Sequence, residues 1–115
     1  MTDFPAFIQA LPGLELPFGE DVVSARAIRS DQGLAVFFTF HRDTEIPPHS
    51  HGAQWGTVIA GEVALTIAGD TRICRPGDSY SIPAGVEHAV RVTAGTRAID
   101  VFAEADRYAL RGPGA

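Results

Sequence analysis

Hydrophobic positions along this chain come in short runs, rich in β-branched and aromatic residues and bounded by glycine, proline and aspartate. The runs DVVSARAIRS (21–30) and LAVFFTF (34–40) are parted by Asp31-Gln32-Gly33, a turn with glycine at its end. QWGTVIA and VALTIA flank Gly61-Glu62, and Gly69-Asp70 leads into TRIC. Both pairs predict two-residue hairpin turns, with glycine where a positive φ is needed. The turn RPGDS (75–79) follows, then YSIP and HAVRV split by AGVE, and RAIDVFA (97–103) closes the series. Eight or nine short strands with turn signals every 8 to 12 residues predict a sandwich or barrel.

Outside the strands, residues 2–10 predict one or two helical turns, with Thr2 or Asp3 as N-cap, Pro5 in the first turn, and Pro12-Gly13 as the stop. The tail EADRYALRGPGA predicts a single helical turn that then frays. No longer helix, repeat, linker or low-complexity tract interrupts the pattern. The organisation expected is one all-β domain: an N-terminal extension (1–20) with a short helical turn, a barrel (21–103) and a C-terminal tail (104–115).

Composition narrows the function classes. A chain of 115 residues, 45% hydrophobic and 20% charged, has the size and balance of one globular domain. Its formal net charge of −5 argues against a nucleic-acid partner, which needs a concentrated basic surface. All nine basic residues are arginine, which excludes Schiff-base chemistry and a lysine general base. The lone Cys74 cannot form an internal disulfide, so a reduced, cytoplasmic setting is expected, with Cys74 as a small buried apolar residue. The N-terminal stretch carries an acid and two prolines, unlike a targeting segment, and no apolar run approaches the roughly 20 residues that span a bilayer.

Two of the four histidines, His49 and His51, stand one residue apart in PPHSHGAQWG. Side chains at i and i+2 of an extended segment share a face, so these rings can converge on one ion. Pro47 and Pro48 favour an extended approach to the pair. The alternative is a pair of solvated histidines at a turn. Gln54 lies three residues beyond His51, an odd offset that faces the other way unless a bend or bulge at Gly52-Ala53 restores it to the inner face. Further along, Gly77, Pro83, Gly85 and His88 stand at fixed offsets, and the Pro83–Gly85 turn starts a returning strand at His88. In a rolled antiparallel sheet that strand can lie beside His49 and His51, giving three imidazoles to a divalent ion with open positions.

These residues resemble the two motifs of the cupin superfamily, G-x5-H-x-H-x(3,4)-E-x6-G and G-x5-P-x-G-x2-H-x3-N. The second matches at Gly77, Pro83, Gly85 and His88 and departs at Val92, where the family often has asparagine. The first matches at His49, His51 and Gly61; Asp43 replaces its leading glycine, and Gln54 has the glutamate's spacing from Gly61 but lies one residue too close to His51. The resemblance covers roughly residues 34–103, with an inter-motif gap of fifteen residues like that of small single-domain bacterial cupins. It implies a double-stranded β-helix (jelly-roll barrel) holding one divalent transition metal, whether iron, manganese, nickel or zinc. His49, His51 and His88 would be ligands, and Gln54 either a direct ligand, a water-mediated one or a hydrogen-bond partner of a bound molecule. It also implies a homodimer and a small-molecule ligand in the barrel cavity. The reaction is not specified, since cupins include enzymes and binding proteins.

With glutamine in place of glutamate, every protein ligand is neutral and the ion keeps both charges, favouring anionic oxygen ligands. The expected function is a metal-dependent, dioxygenase-like enzyme acting on a small oxyanionic metabolite. The alternative is a non-catalytic module that binds a sugar or organic acid, and a third is a structural barrel with a vestigial site. No catalytic residue is assigned. Among the remaining candidates, His41 is expected in a solvated loop, and Trp55 on the far face of the sheet at a dimer or sheet–sheet contact. Phe38 and Phe40 are expected in the core or cavity wall, and Tyr80 and Ser81 as polar groups of the cavity. Asp100 is read as solvent-facing, with a histidine-supporting role as the alternative, and Glu45, Glu62 and Glu87 are placed at turns.

Overall fold

The computed structural model describes residues 3–111. Nine strands carry the described chain: β1 (Val23–Ser30), β2 (Gly33–Phe40), β3 (Thr44–His49), β4 (Gln54–Ala60), β5 (Val63–Ile67), β6 (Asp70–Cys74), β7 (Ser79–Ile82), β8 (His88–Val92) and β9 (Arg97–Phe102). They form a five-stranded sheet in the order β1-β2-β9-β4-β7 and a four-stranded sheet in the order β3-β8-β5-β6. Every strand pairing is antiparallel. After β2 the chain changes sheet at almost every connection, which is the jelly-roll winding. Alternation places one side of each strand inside: in β2, Leu34, Val36, Phe38 and Phe40 are buried while the residues between them are half-buried. Leu34 and Val36 of β2 and Val58 of β4 are almost wholly excluded from solvent at the centre of this core.

The turn after β5 is a tight hairpin, one residue earlier than the sequence suggests. Ile67 pairs with Asp70, so the loop is Ala68-Gly69, with φ of 52° and 82°. Gly61-Glu62 is not a hairpin. β4 pairs with β7 and β9, whereas β5 pairs with β6 and β8, so this turn is a corner between sheets. Gly61 has φ +80°, a Cβ there would strike Thr96, and the Glu62 N–H donates to Thr96 Oγ1 at 3.0 Å.

The ends of the described chain close one side of the barrel. A single helical turn, α1 (Ala6–Gln9), begins after Pro5, which replaces the expected Asp3 as N-cap; Thr2 lies outside the described residues. Beyond Glu104 the chain makes a turn, not a helix, and its described part then docks on the N-terminal segment; residues 112–115, where fraying is expected, lie outside the described residues. Leu110 bridges to Leu14, the Glu15 N–H donates to Ala109 O, and the Arg111 N–H donates to Gly13 O. Among the described residues no helix is long and apolar enough to cross a membrane.

Candidate metal centre

The proline pair shapes the first half of the site. β3, a strand not evident in the run pattern, pairs with β8 from Thr44 to Ile46, slips register at Pro47-Pro48, and pairs again at His49, directly opposite His88. His51 follows in a non-strand segment pinned from two sides. Its carbonyl accepts from the Gly85 N–H, and the next residue, Gly52, donates its N–H to Glu104 Oε1. His88 thereby meets two histidines that precede it by 37 and 39 positions: ring centroids are 4.3 Å apart for His49–His88 and 4.9 Å for His51–His88, with 5.2 Å between His49 and His51. One ligand nitrogen from each lies within 4.8 Å of the other two.

The hydrogen bonds decide which nitrogen that is. His49 Nδ1 bonds Pro47 O at 2.9 Å, His51 Nδ1 bonds Gly52 O at 2.8 Å, and His88 Nδ1 bonds Val86 O at 3.0 Å. A carbonyl only accepts, so each Nδ1 carries the proton and each neutral ring keeps its lone pair on Nε2. Burial pushes the pKa of His51 and His88 below the usual histidine range. The Arg107 charge and the neighbouring imidazoles add to this, against the opposing carbonyl bonds. Three imidazoles with tautomers set by the backbone, His51 and His88 also biased toward the neutral form, suit a divalent metal.

Gln54 opens β4 on the inner face, lining the same cavity as the three histidines, so the bend at Gly52-Ala53 does restore it. Its Nε2 donates to Asp100 Oδ1 at 3.0 Å, and the Tyr80 hydroxyl donates to the same oxygen at 2.6 Å. Asp100 is therefore not solvent-facing. It is 4% exposed, because the inward positions of β9 are Ala98, Asp100 and Phe102. Nor does it support a histidine; its partners are a phenol and an amide. Burial pushes the Asp100 carboxyl up to about 6, opposed by these two bonds, and burial together with the Asp100 charge raises the Tyr80 phenol. Gly56 makes the arrangement possible, since a Cβ there would collide with both Asp100 and Tyr80.

The cavity has a volume of about 70 Å³, with walls that include Phe38, Phe40, Leu65, Ile82 and Phe102. Leu16–Phe18 from the N-terminal segment and Tyr108 from the C-terminal one complete it. The Arg107 guanidinium lies over the Tyr108 ring at 4.4 Å and 6.0 Å from the Phe102 ring centroid. The Phe102 ring is in turn 5.7 Å from that of His51. Arg107 makes no salt bridge among the described residues, and its buried Nε has no hydrogen-bond partner.

Other candidates fall elsewhere. Ser81 points outward and is exposed, out of the cavity that its neighbour Tyr80 lines. Glu45 lies within β3, not at a turn. His41 is an exposed loop residue whose Nε2 bonds Ser24 Oγ at 2.7 Å. Trp55 faces outward, 45% exposed, and Cys74 is fully buried. Phe38 and Phe40 serve both expected roles, belonging to the core and lining the cavity. Tyr80 lines the cavity as expected, whereas Asp100 was misplaced and Gly56 missed by sequence reading; the signals were a charge in phase with Ala98 and Phe102, and a glycine inside a strand.

Residues 36–102 match a family model described as the cupin domain. An RmlC-like cupin from Shewanella frigidimarina superposes with TM-score 0.75 at 22% identity, over 92% of this chain and 95% of that one. KdgF from Halomonas sp. gives TM-score 0.66 at 24% identity, over 76% and 84%. Bacillus subtilis oxalate decarboxylase, which has Mn(II) centres, gives 0.66 at 20%, over 85% of this chain and 28% of that larger one. No curated protein matches the sequence significantly.

Proposed function

The chain belongs to the cupin family, and from that premise we propose that it holds one divalent transition metal and uses it to bind a small oxyanionic metabolite. His49, His51 and His88 would ligate through Nε2, with Gln54 as the fourth ligand. The observation that carries this reading is the commitment of all three Nδ1 atoms to local carbonyls, which leaves three lone pairs in one place. Iron, manganese, nickel and zinc all suit imidazole, and the shared fold with a Mn(II) protein is in keeping with manganese.

When bound, the ion supplies Lewis acidity, open positions for ligand oxygens and, as iron, reactivity toward dioxygen; a dioxygenase-like reaction is the enzymatic form we favour. The chain's own residues supply the rest. Four neutral donors leave the double charge uncompensated, and the Arg107 guanidinium beside the histidines adds to it, so an anionic ligand is selected. The apolar walls exclude water and strengthen these interactions. Asp100, with its carboxyl near 6 and the Tyr80 hydroxyl on Oδ1, can hold or release a proton near neutrality. It supplies the carboxylate that the ligand set lacks. The cavity's volume of about 70 Å³ holds a few heavy atoms of the ligand, since one water needs on the order of 10–15 Å³ on this measure, and a larger ligand would extend from its open mouth.

The aromatic lining of that cavity favours a second reading, a module that binds a small organic acid or sugar without turning it over. Metal content of untagged protein comes first. About one ion per chain supports the centre, and failure to load any divalent ion from the first transition row overturns it. Oxygen uptake by the Fe(II) form against a panel of small carboxylates then separates enzyme from binder. The binder would give a rise in melting temperature with no uptake. A homodimer through the outer face of the five-stranded sheet fits the same reading. Ile28 and Val101 are exposed there, and Val101 lies opposite Trp55 in the register.

A further inference from the structure

We propose that Asp100 is the positioning residue for the Gln54 ligand: its carboxylate fixes the side-chain amide with Nε2 turned away from the three histidines, so that Oε1 faces them. This rests on the reading of Gln54 as a ligand. A primary amide is nearly symmetric in shape, and its two ends differ only in what they can bond. Presented by oxygen it is a metal ligand; presented by its NH2 group it offers the ion nothing. Something must therefore choose the rotamer.

The structure holds an acceptor at the right place. Gln54 Nε2 donates to Asp100 Oδ1 at 3.0 Å, and a reversed amide would set its oxygen against that carboxylate oxygen, acceptor to acceptor. Asp100 is itself immobilised. The Tyr80 hydroxyl donates to the same Oδ1 at 2.6 Å, the residue is buried, and Gly56 leaves the space that both side chains fill. The chain of contacts runs across three adjacent strands, from Tyr80 on β7 and Gln54 on β4 to Asp100 on β9, pinned by the register that places Gly56 opposite both Tyr80 and Asp100. None of the salt bridges of the described residues involves this buried carboxylate, so its side-chain partners there are the phenol and the amide.

The test uses Co(II) as probe, read by its visible ligand-field spectrum and its binding constant, on Gln54→Ala, Asp100→Leu, the double variant and Asp100→Asn. Gln54→Ala should weaken Co(II) and change the spectrum. Asp100→Leu should reproduce that change with a loss of about 10- to 100-fold, the usual range for partners of metal ligands. The double variant should be no worse than either single one. Asp100→Asn should restore the wild-type spectrum, because the Tyr80 hydroxyl selects the amide oxygen and leaves it facing Gln54. An unchanged spectrum in Gln54→Ala removes the ligand reading and the proposal with it. A changed spectrum in Gln54→Ala but not in Asp100→Leu, or losses that multiply in the double variant, overturns the positioning role alone. Asp100→Ala replaces the leucine variant in the same comparison if that one fails to fold.

Discussion

Replacing Asp100 by asparagine should stabilise the metal-free protein in a pH-dependent way. The folded state holds the Asp100 proton with a pKa of about 6 against an ordinary 3.8, a difference of about 2 pH units. At about 1.4 kcal/mol per unit this is about 3 kcal/mol. The sign follows from which state binds the proton more tightly. Because the folded pKa is raised, the wild type has no penalty well below about pH 4, loses stability as pH rises to about 6, and carries the full cost above that. Asparagine does not ionise, and its single oxygen can accept from both Tyr80 and Gln54, since both already end on Oδ1. The added NH2 group brings a roughly constant offset on the order of 1 kcal/mol. The diagnostic quantity is therefore the difference between variant and wild type across pH. Urea unfolding of chelator-treated protein at pH 4, 5, 6 and 7 measures it. The titrations of His51 and His88 are common to both proteins and cancel. The difference should move by about 2.5 kcal/mol in favour of asparagine between pH 4 and pH 7, since at pH 4 about 0.5 kcal/mol of the cost is already present. A difference that stays flat within about 0.5 kcal/mol would refute the buried ionisation.

Gly56→Ala should destabilise by about 1–3 kcal/mol, as overpacking does, because the new methyl displaces Asp100 and Tyr80; a thermal melt matching wild type would contradict the close approach. His88→Ala should abolish the rise in melting temperature on adding metal. At a metal concentration a hundredfold above its Kd that rise corresponds to about 2.7 kcal/mol, so calorimetry with and without ion decides it. Arg107→Gln should weaken a small carboxylate ligand by about tenfold or more while leaving metal affinity within a factor of a few. Equal loss for charged and neutral ligands in a binding titration would remove its role in selecting anions.

The legible part of this molecule was local. His49 and His51 share a face through an offset of two, Pro83–Gly85 turns the chain before His88, and the β-branched runs mark strands from near neighbours alone. The misread parts depend on which strands lie side by side. Gly61-Glu62 and Ala68-Gly69 are both glycine-containing turns between apolar runs, yet one is a corner between sheets and the other a hairpin, because Gly61 is set against Thr96 from 35 positions away. The β3 strand was hidden by its two prolines, which interrupt the ladder without ending the extended backbone. Asp100 was misplaced for the same reason. A charge between Ile99 and Val101 is ordinary on a solvent face, and only the β9–β4–β7 adjacency supplies the amide, the phenol and the glycine gap that let it lie inside.

Those two prolines also bear on how the molecule resists aggregation. β3 is the outer strand of the four-stranded sheet, with β8 on one side and, among the described residues, no strand on the other. Pro47 and Pro48 both lack an N–H and stand where the ladder slips, so the row of backbone donors along this edge strand is interrupted at its middle. A neighbouring chain adding itself there would meet a gap and a slipped backbone in the middle of the ladder. The feature that bends the chain toward His49 thus also blunts an edge that would otherwise invite fibre-like stacking.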